Sequence, residues 1–124
     1  MEDLFNRIAE DAGIDKDKAQ KAVSVILAFL RKEGPSADVD ALFSAIPGAA
    51  GLAAGGESEE APAGLAGMTG GGLMVLGGQL TNLGLGMGQM QTIGKHVFAY
   101  ARGKAGDEAV GQLVAAIPGL GQFL

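Results

Sequence analysis

The sequence predicts an all-α fold: about six helices, forming two pseudo-symmetric three-helix units in one bundle. Three observations carry this. Apolar residues recur at the spacing of one helix face through most of the chain. Glycines and a Gly-Pro pair punctuate those stretches where helices stop. Residues 39–48, VDALFSAIPG, return at 110–119 as VGQLVAAIPG, an offset of 71. Laid without a gap on residues 72–124, residues 1–53 show ten identities, among them Gly13 with Gly84, Gln20 with Gln91, Ala28 with Ala99 and Arg31 with Arg102. Phe29 falls on Tyr100, and apolar-for-apolar exchanges are frequent.

Leu4, Phe5, Ile8, Ala9 and Ala12 predict an amphipathic helix over 2–12, stopped by Gly13 as a left-handed glycine. Asp15 then serves as N-cap of a helix over 16–32. Its start is polar, but every residue from Val25 to Leu30 is apolar, and a helix apolar all round must be surrounded by protein. Gly34-Pro35 ends it, and Ser36 caps the next helix, with Asp38 and Asp40 favoured in its first turns by the helix dipole. Val39, Leu42, Phe43 and Ile46 form its buried stripe. Pro47 then disfavours the helical conformation at Ile46, and Gly48 can take the left-handed cap.

Residues 49–71 are rich in alanine and glycine around an acidic SEEAP stretch. They offer too little burial to offset ordering entropy, so a mobile loop is expected, with a stub of helix at 49–54. The second unit repeats the order of the first. A helix over 73–83 carries Leu73, Val75, Leu76, Leu80 and Leu83, with Gly77 and Gly78 set against another helix. Gly84, Gly86 and Gly88 form a break. A helix over 88–103 presents Met90, Ile93, Val97, Phe98 and Ala101 on one face. Asp107 caps a last helix over 108–117, with Val110, Leu113, Val114 and Ile117 inward. The long helices 16–32 and 88–103 are expected at the centre, near the pseudo-two-fold axis.

At 124 residues the chain is one domain by size: unit one 1–53, an acidic Gly/Ala-rich linker 54–71 and unit two 72–124. Each half alone would bury only about 60% of its unfolded surface, so the two should share a core. The linker spans roughly 25 Å as a random coil, enough to cross the domain or to reach a neighbouring chain, so a homo-oligomer is open. There is no cysteine, hence no disulfide and no thiolate ligand or nucleophile. The net charge is −5, and no segment is basic enough to neutralise several phosphates, which argues against a nucleic-acid partner. Acids at Glu2, Asp3, Glu10 and Asp11 are unlike a signal peptide, so a cytoplasmic location is expected. Residues 61–94 are uncharged, but Gln79, Thr81, Asn82, Gln89, Gln91 and several glycines make this stretch too polar for a transmembrane segment.

No catalytic, cofactor or metal signature stands out. His96 is the only histidine; Thr92 and Tyr100 lie one turn away on its helix, and no acid lies within a turn of it. With no second histidine or cysteine, a zinc site is not expected. An enzyme would need His96 with Tyr100 or Arg102 lining a cleft. Asp15, Asp17, Asp38 and Asp40 are read as caps and dipole partners, because no calcium-loop register follows them. The glycines at 70–72 and Gly84-Leu85-Gly86 lack the Lys-Ser/Thr of a phosphate loop and are read as linker and helix stop. Met68, Met74, Met87 and Met90 crowd one region, and methionine suits pliable binding surfaces, so they are the candidate surface for an apolar ligand or a partner. The Ala-Ile-Pro-Gly motifs are read as helix stops that seat a last buried isoleucine.

The run from Gly13 to Ala22, the apolar helix Val23–Leu30, the two Ala-Ile-Pro-Gly motifs, the Gly/Ala-rich linker, and the Leu83-Gly84-Leu85-Gly86-Met87 stretch with Met90 together resemble small bacterial proteins of unknown function of the VcgC/VcgE type. A second helical family with Leu-Pro helix ends has a similar texture. Both resemblances imply an all-helical domain, the first a bacterial source, and neither brings catalytic residues. The expected function is a non-enzymatic interaction or structural module, self-associating or not. The alternative is a carrier of an apolar or lipid-like ligand between the two units.

Overall fold

A computed structural model describes residues 2–34, 36–57, 78 and 80–116. Within these residues every regular element is a helix: α1 (Glu2–Ala12), α2 (Lys16–Glu33), α3 (Ser36–Ala45), α4 (Ala49–Glu57), α5 (Met87–Ala105) and α6 (Asp107–Ala116). The expected helix over 73–83 lies mostly outside the described residues; Gly78 and residues 80–82 are helical. Ile117 and the second Pro-Gly stop also lie outside them.

α1 buries Leu4, Phe5 and Ile8 along one stripe. It ends where Gly13 takes φ 68° and the Ile14 amide donates to the Ala9 carbonyl at 3.0 Å, so a left-handed residue and a long-reaching amide satisfy carbonyls the helix leaves open. The same closure recurs 71 residues on: Gly84 has φ 88°, and the Leu85 amide donates to the Leu80 carbonyl at 3.2 Å. The offset also relates the start of α2 to that of α5, and the start of α3 to that of α6. Gln89, in the first turn of α5, donates to the Ala12 carbonyl at 2.8 Å and accepts the Gly86 amide at 2.8 Å, tying the end of α1 to the start of α5. Its counterpart, Lys18, sits beside Gly84, where an added Cβ would lie 3.4 Å from the ammonium.

α2 is the centre of the fold. Every residue from Ala22 to Leu30 is buried, and the one polar side chain among them, Ser24, donates to the Gln20 carbonyl at 2.9 Å. α4 makes the most extensive contact with α2, and α1, α5 and α3 also touch it. The stub of helix expected at 49–54 is present as α4, and the loop expected beyond it, from residue 58 to 71, lies outside the described residues. α4 runs on through Glu57, with Ala49 and Ala53 fully buried. Small side chains one turn apart let this helix approach closely, and tertiary packing supports a sequence of weak intrinsic propensity.

α5 does not share the central position expected of it. It buries Met90, Ile93, Gly94, Val97, Phe98 and Ala101, but Gln91, Lys95, Ala99, Arg102 and Lys104 are exposed. It is an amphipathic helix that lies chiefly on α1 and also meets α6, α3 and α2. Two predicted caps also shift by one position. Ser36 and Asp107 are the first residues of α3 and α6, and the residue before Asp107 is Gly106 with φ 97°, whose amide bonds the Arg102 carbonyl at 3.0 Å. Asp15 does stand at the N-cap of α2, but its side chain makes no capping bond. Ile46, ahead of Pro47-Gly48, is 2% exposed, as the helix-stop reading of its motif requires. The Lys16 ammonium pairs with Glu2 and holds that exposed carboxyl below the usual carboxylate range. Any stability this pair adds is present above the ordinary carboxylate pKa and is lost as pH falls through the lowered value.

Gly34 marks the tightest corner. A Cβ there would stand 2.5 Å from Leu113 Cδ1, 2.7 Å from the Leu30 carbonyl oxygen and 2.8 Å from Val39 Cγ2. Leu113 can swing away, but the backbone oxygen cannot move without disturbing the last turn of α2. Gly34→Ala is therefore expected to cost about 1–3 kcal/mol in urea unfolding; a variant as stable as the parent would contradict this corner.

Candidate functional site

Among the described residues, a concavity with converging polar side chains lies between α1 and α5. These helices run antiparallel. Gln89 reaches Ala12, His96 reaches Asp11, and Ala99 and Tyr100 share a groove with Asp3, Leu4 and Arg7. Two four-residue periodicities build it. Asp3, Arg7 and Asp11 form one stripe along α1, and His96, Tyr100 and Lys104 form one along α5, because residues four apart stack on one helix face. Buried Leu4 and Ile8 under the first stripe, and buried Val97 and Ala101 beside the second, hold the two helices together.

The groove has a volume of about 250 Å³ and is lined by Asp3, Leu4, Arg7, His96, Ala99 and Tyr100. At one end His96 Nε2 donates to Asp11 Oδ2 at 2.5 Å; the carboxylate only accepts, so the other ring nitrogen, Nδ1, is left free to accept when the ring is neutral. The His96 side chain is 26% exposed and that of Asp11 57%. The Lys104 ammonium lies 5.6 Å from the centroid of the Tyr100 ring, within range of a cation–π contact. Asp3 and Arg7, one turn apart on α1, form no ion pair with each other or with any other described residue.

The sequence-predicted residues are redistributed by the fold. His96 and Tyr100 do line one groove, whereas Arg102 is exposed and is not part of its lining. Thr92 turns back on its own helix and donates to the Gly88 carbonyl at 2.9 Å. The acid missing from the turn around His96 comes from α1, 85 positions away. Of the four candidate methionines, Met87 is 74% exposed in the first turn of α5 and Met90 is 4% exposed in the core, so these two do not share a surface; Met68 and Met74 lie outside the described residues. Met90 is withdrawn because it starts the stripe that continues through Ile93 and Val97. Asp15, Asp17 and Asp40 are exposed and Asp38 is half-buried, and no three His, Asp or Glu side chains converge among the described residues. Gly84 and Gly86 occupy the break before α5.

Among the described residues no helix is long and apolar enough to cross a membrane. No family model, curated protein or solved structure matches the chain.

The groove's signal was present in the sequence as two charged or polar stripes on separate helices, but only the fold shows that they face each other. If the His96–Asp11 bond joins α1 to α5 in solution, a double-mutant cycle with His96→Ala and Asp11→Ala should give a coupling of about 0.5–1 kcal/mol, the scale of a half-exposed pair. Additive losses would mean that the pair does not form.

Proposed function

We propose that this chain is a non-enzymatic binding module that holds a small polar ligand in the groove between its two helical units. One observation supports this above the others: α1 and α5 together line a concavity in which Arg7 and Asp3 pair with no other described residue, beside Tyr100. Unpaired charges converging on an aromatic wall are the arrangement expected of a recognition site.

The other readings have weaker support. An apolar or lipid-like cargo would need an apolar chamber between the units. The groove is instead lined by three ionisable side chains and a tyrosine. Self-association would need an apolar face, since a stable interface buries roughly 800 Å² on each partner around an apolar centre. Met87 is the one exposed large hydrophobic among the described residues. Catalysis by His96 would need a site that excludes water, and the Asp11 that holds the ring is more than half exposed.

Tyr100 is the only tyrosine and there is no tryptophan, so tyrosine emission reports on the groove alone. Titration with non-fluorescent small amino acids, carboxylic acids and amines should give a saturable change in that emission for at least one compound. Ala99→Leu, which fills the groove from an exposed position, should abolish the change. Emission unmoved by every compound, or moved equally in the filled variant, would contradict this function.

A further inference from the structure

At the margin of the groove Asp11 is engaged by His96, and Lys104 lies over the Tyr100 ring. Among the lining side chains, the carboxylate of Asp3 and the guanidinium of Arg7 pair with no described residue, and the His96 ring lies beside them, held by Asp11. Asp3 and Arg7 stand four residues apart on α1, about 6 Å along the helix axis. Leu4 lies between them as a buried apolar floor, and the Ala99 methyl and the Tyr100 ring form the facing wall.

A simple anion would meet Arg7 but also be repelled by Asp3, and a simple cation would meet the reverse. A ligand carrying both an ammonium and a carboxylate on a compact apolar body satisfies both groups at once and covers the floor and the ring. Resting on the groove as the binding site, we infer that it recognises a small zwitterion: a free α-amino acid with an apolar or aromatic side chain. Its carboxylate pairs with the Arg7 fork, its ammonium with Asp3, and its side chain packs on Leu4 and Tyr100. A groove of about 250 Å³ has room for one such molecule. Each charged pairing should change affinity by about tenfold or more, the scale of a hydrogen bond to a charged group.

The test uses three probes that share one ring and differ in their charged groups: L-phenylalanine, N-acetyl-L-phenylalanine, whose amine is capped and uncharged, and L-phenylalaninamide, whose carboxylate is replaced by a neutral amide. Each is titrated into the isotope-labelled protein and followed by NMR at Leu4, Arg7, Ala99 and Tyr100. L-Phenylalanine is expected to bind at least about tenfold more tightly than either blocked form. Arg7→Gln should erase the preference over the amide, and Asp3→Asn the preference over the acetyl form. Both positions are exposed, so the variants should keep the parent's circular dichroism. Equal affinity for all three probes, or preferences that survive both substitutions, would overturn the zwitterion while leaving the groove as a site for apolar rings. Tighter binding of one blocked form would overturn it in favour of a singly charged ligand. No perturbation by any probe would overturn the zwitterion; together with silent tyrosine emission across the wider panel, it would overturn the groove itself.

Discussion

The fold depends on enclosing α2. From Ala22 to Leu30 the helix has no side that can face water, so neighbours must cover its whole circumference. Burial of its larger side chains contributes roughly 1.5–3 kcal/mol each, far more than any surface pair in the molecule. This requirement explains α4, whose alanines and glycines would not hold a helix in isolation. Ala49 and Ala53 are helical because α2 needs a close-fitting cover on that side. It also explains Gly34, since the corner that turns the chain back over α2 leaves no space for a side chain.

The groove is the complement of that burial. At the 71-residue offset, Val25, Ala28 and Phe29 of α2 correspond to His96, Ala99 and Tyr100 of α5. The first three are buried among neighbouring helices, and the second three line the groove. The two long helices start at equivalent positions after a left-handed glycine closure, but their surroundings differ. One is apolar on every face and organises the core. The other keeps one apolar face toward α1, α3 and α6 and turns polar side chains to the open side.

Much of this was legible in the residues. The bounds of α1, α2 and α3 follow from periodicity and from Gly13 and Gly34-Pro35, because stop signals act locally. The central place of α2 follows from its unbroken apolar run. The start of α4 is legible as a stub, but its length to Glu57 is not, because an Ala/Gly stretch carries no strong local preference and its helix depends on packing against α2. α5 was placed too deep, although Lys95, Arg102 and Lys104 already marked a solvated face. The site was half legible. His96 and Tyr100 share a helix face by spacing, but Asp11 and Arg7 reach them only through the antiparallel docking of α1 on α5. Closeness in sequence says little about direction: Met87 and Met90 part ways within one turn.

Native-state hydrogen exchange tests the central claim most directly, because it ranks the helices by the free energy at which each opens. The amides of Ala22–Leu30 should be the slowest in the chain and should exchange only through global unfolding, with the exposed side of α5 exchanging through smaller openings. If α2 opened below the global limit while α5 stayed protected to it, the fold would be organised around α5, and the division between a buried helix and a site-bearing helix would be contradicted.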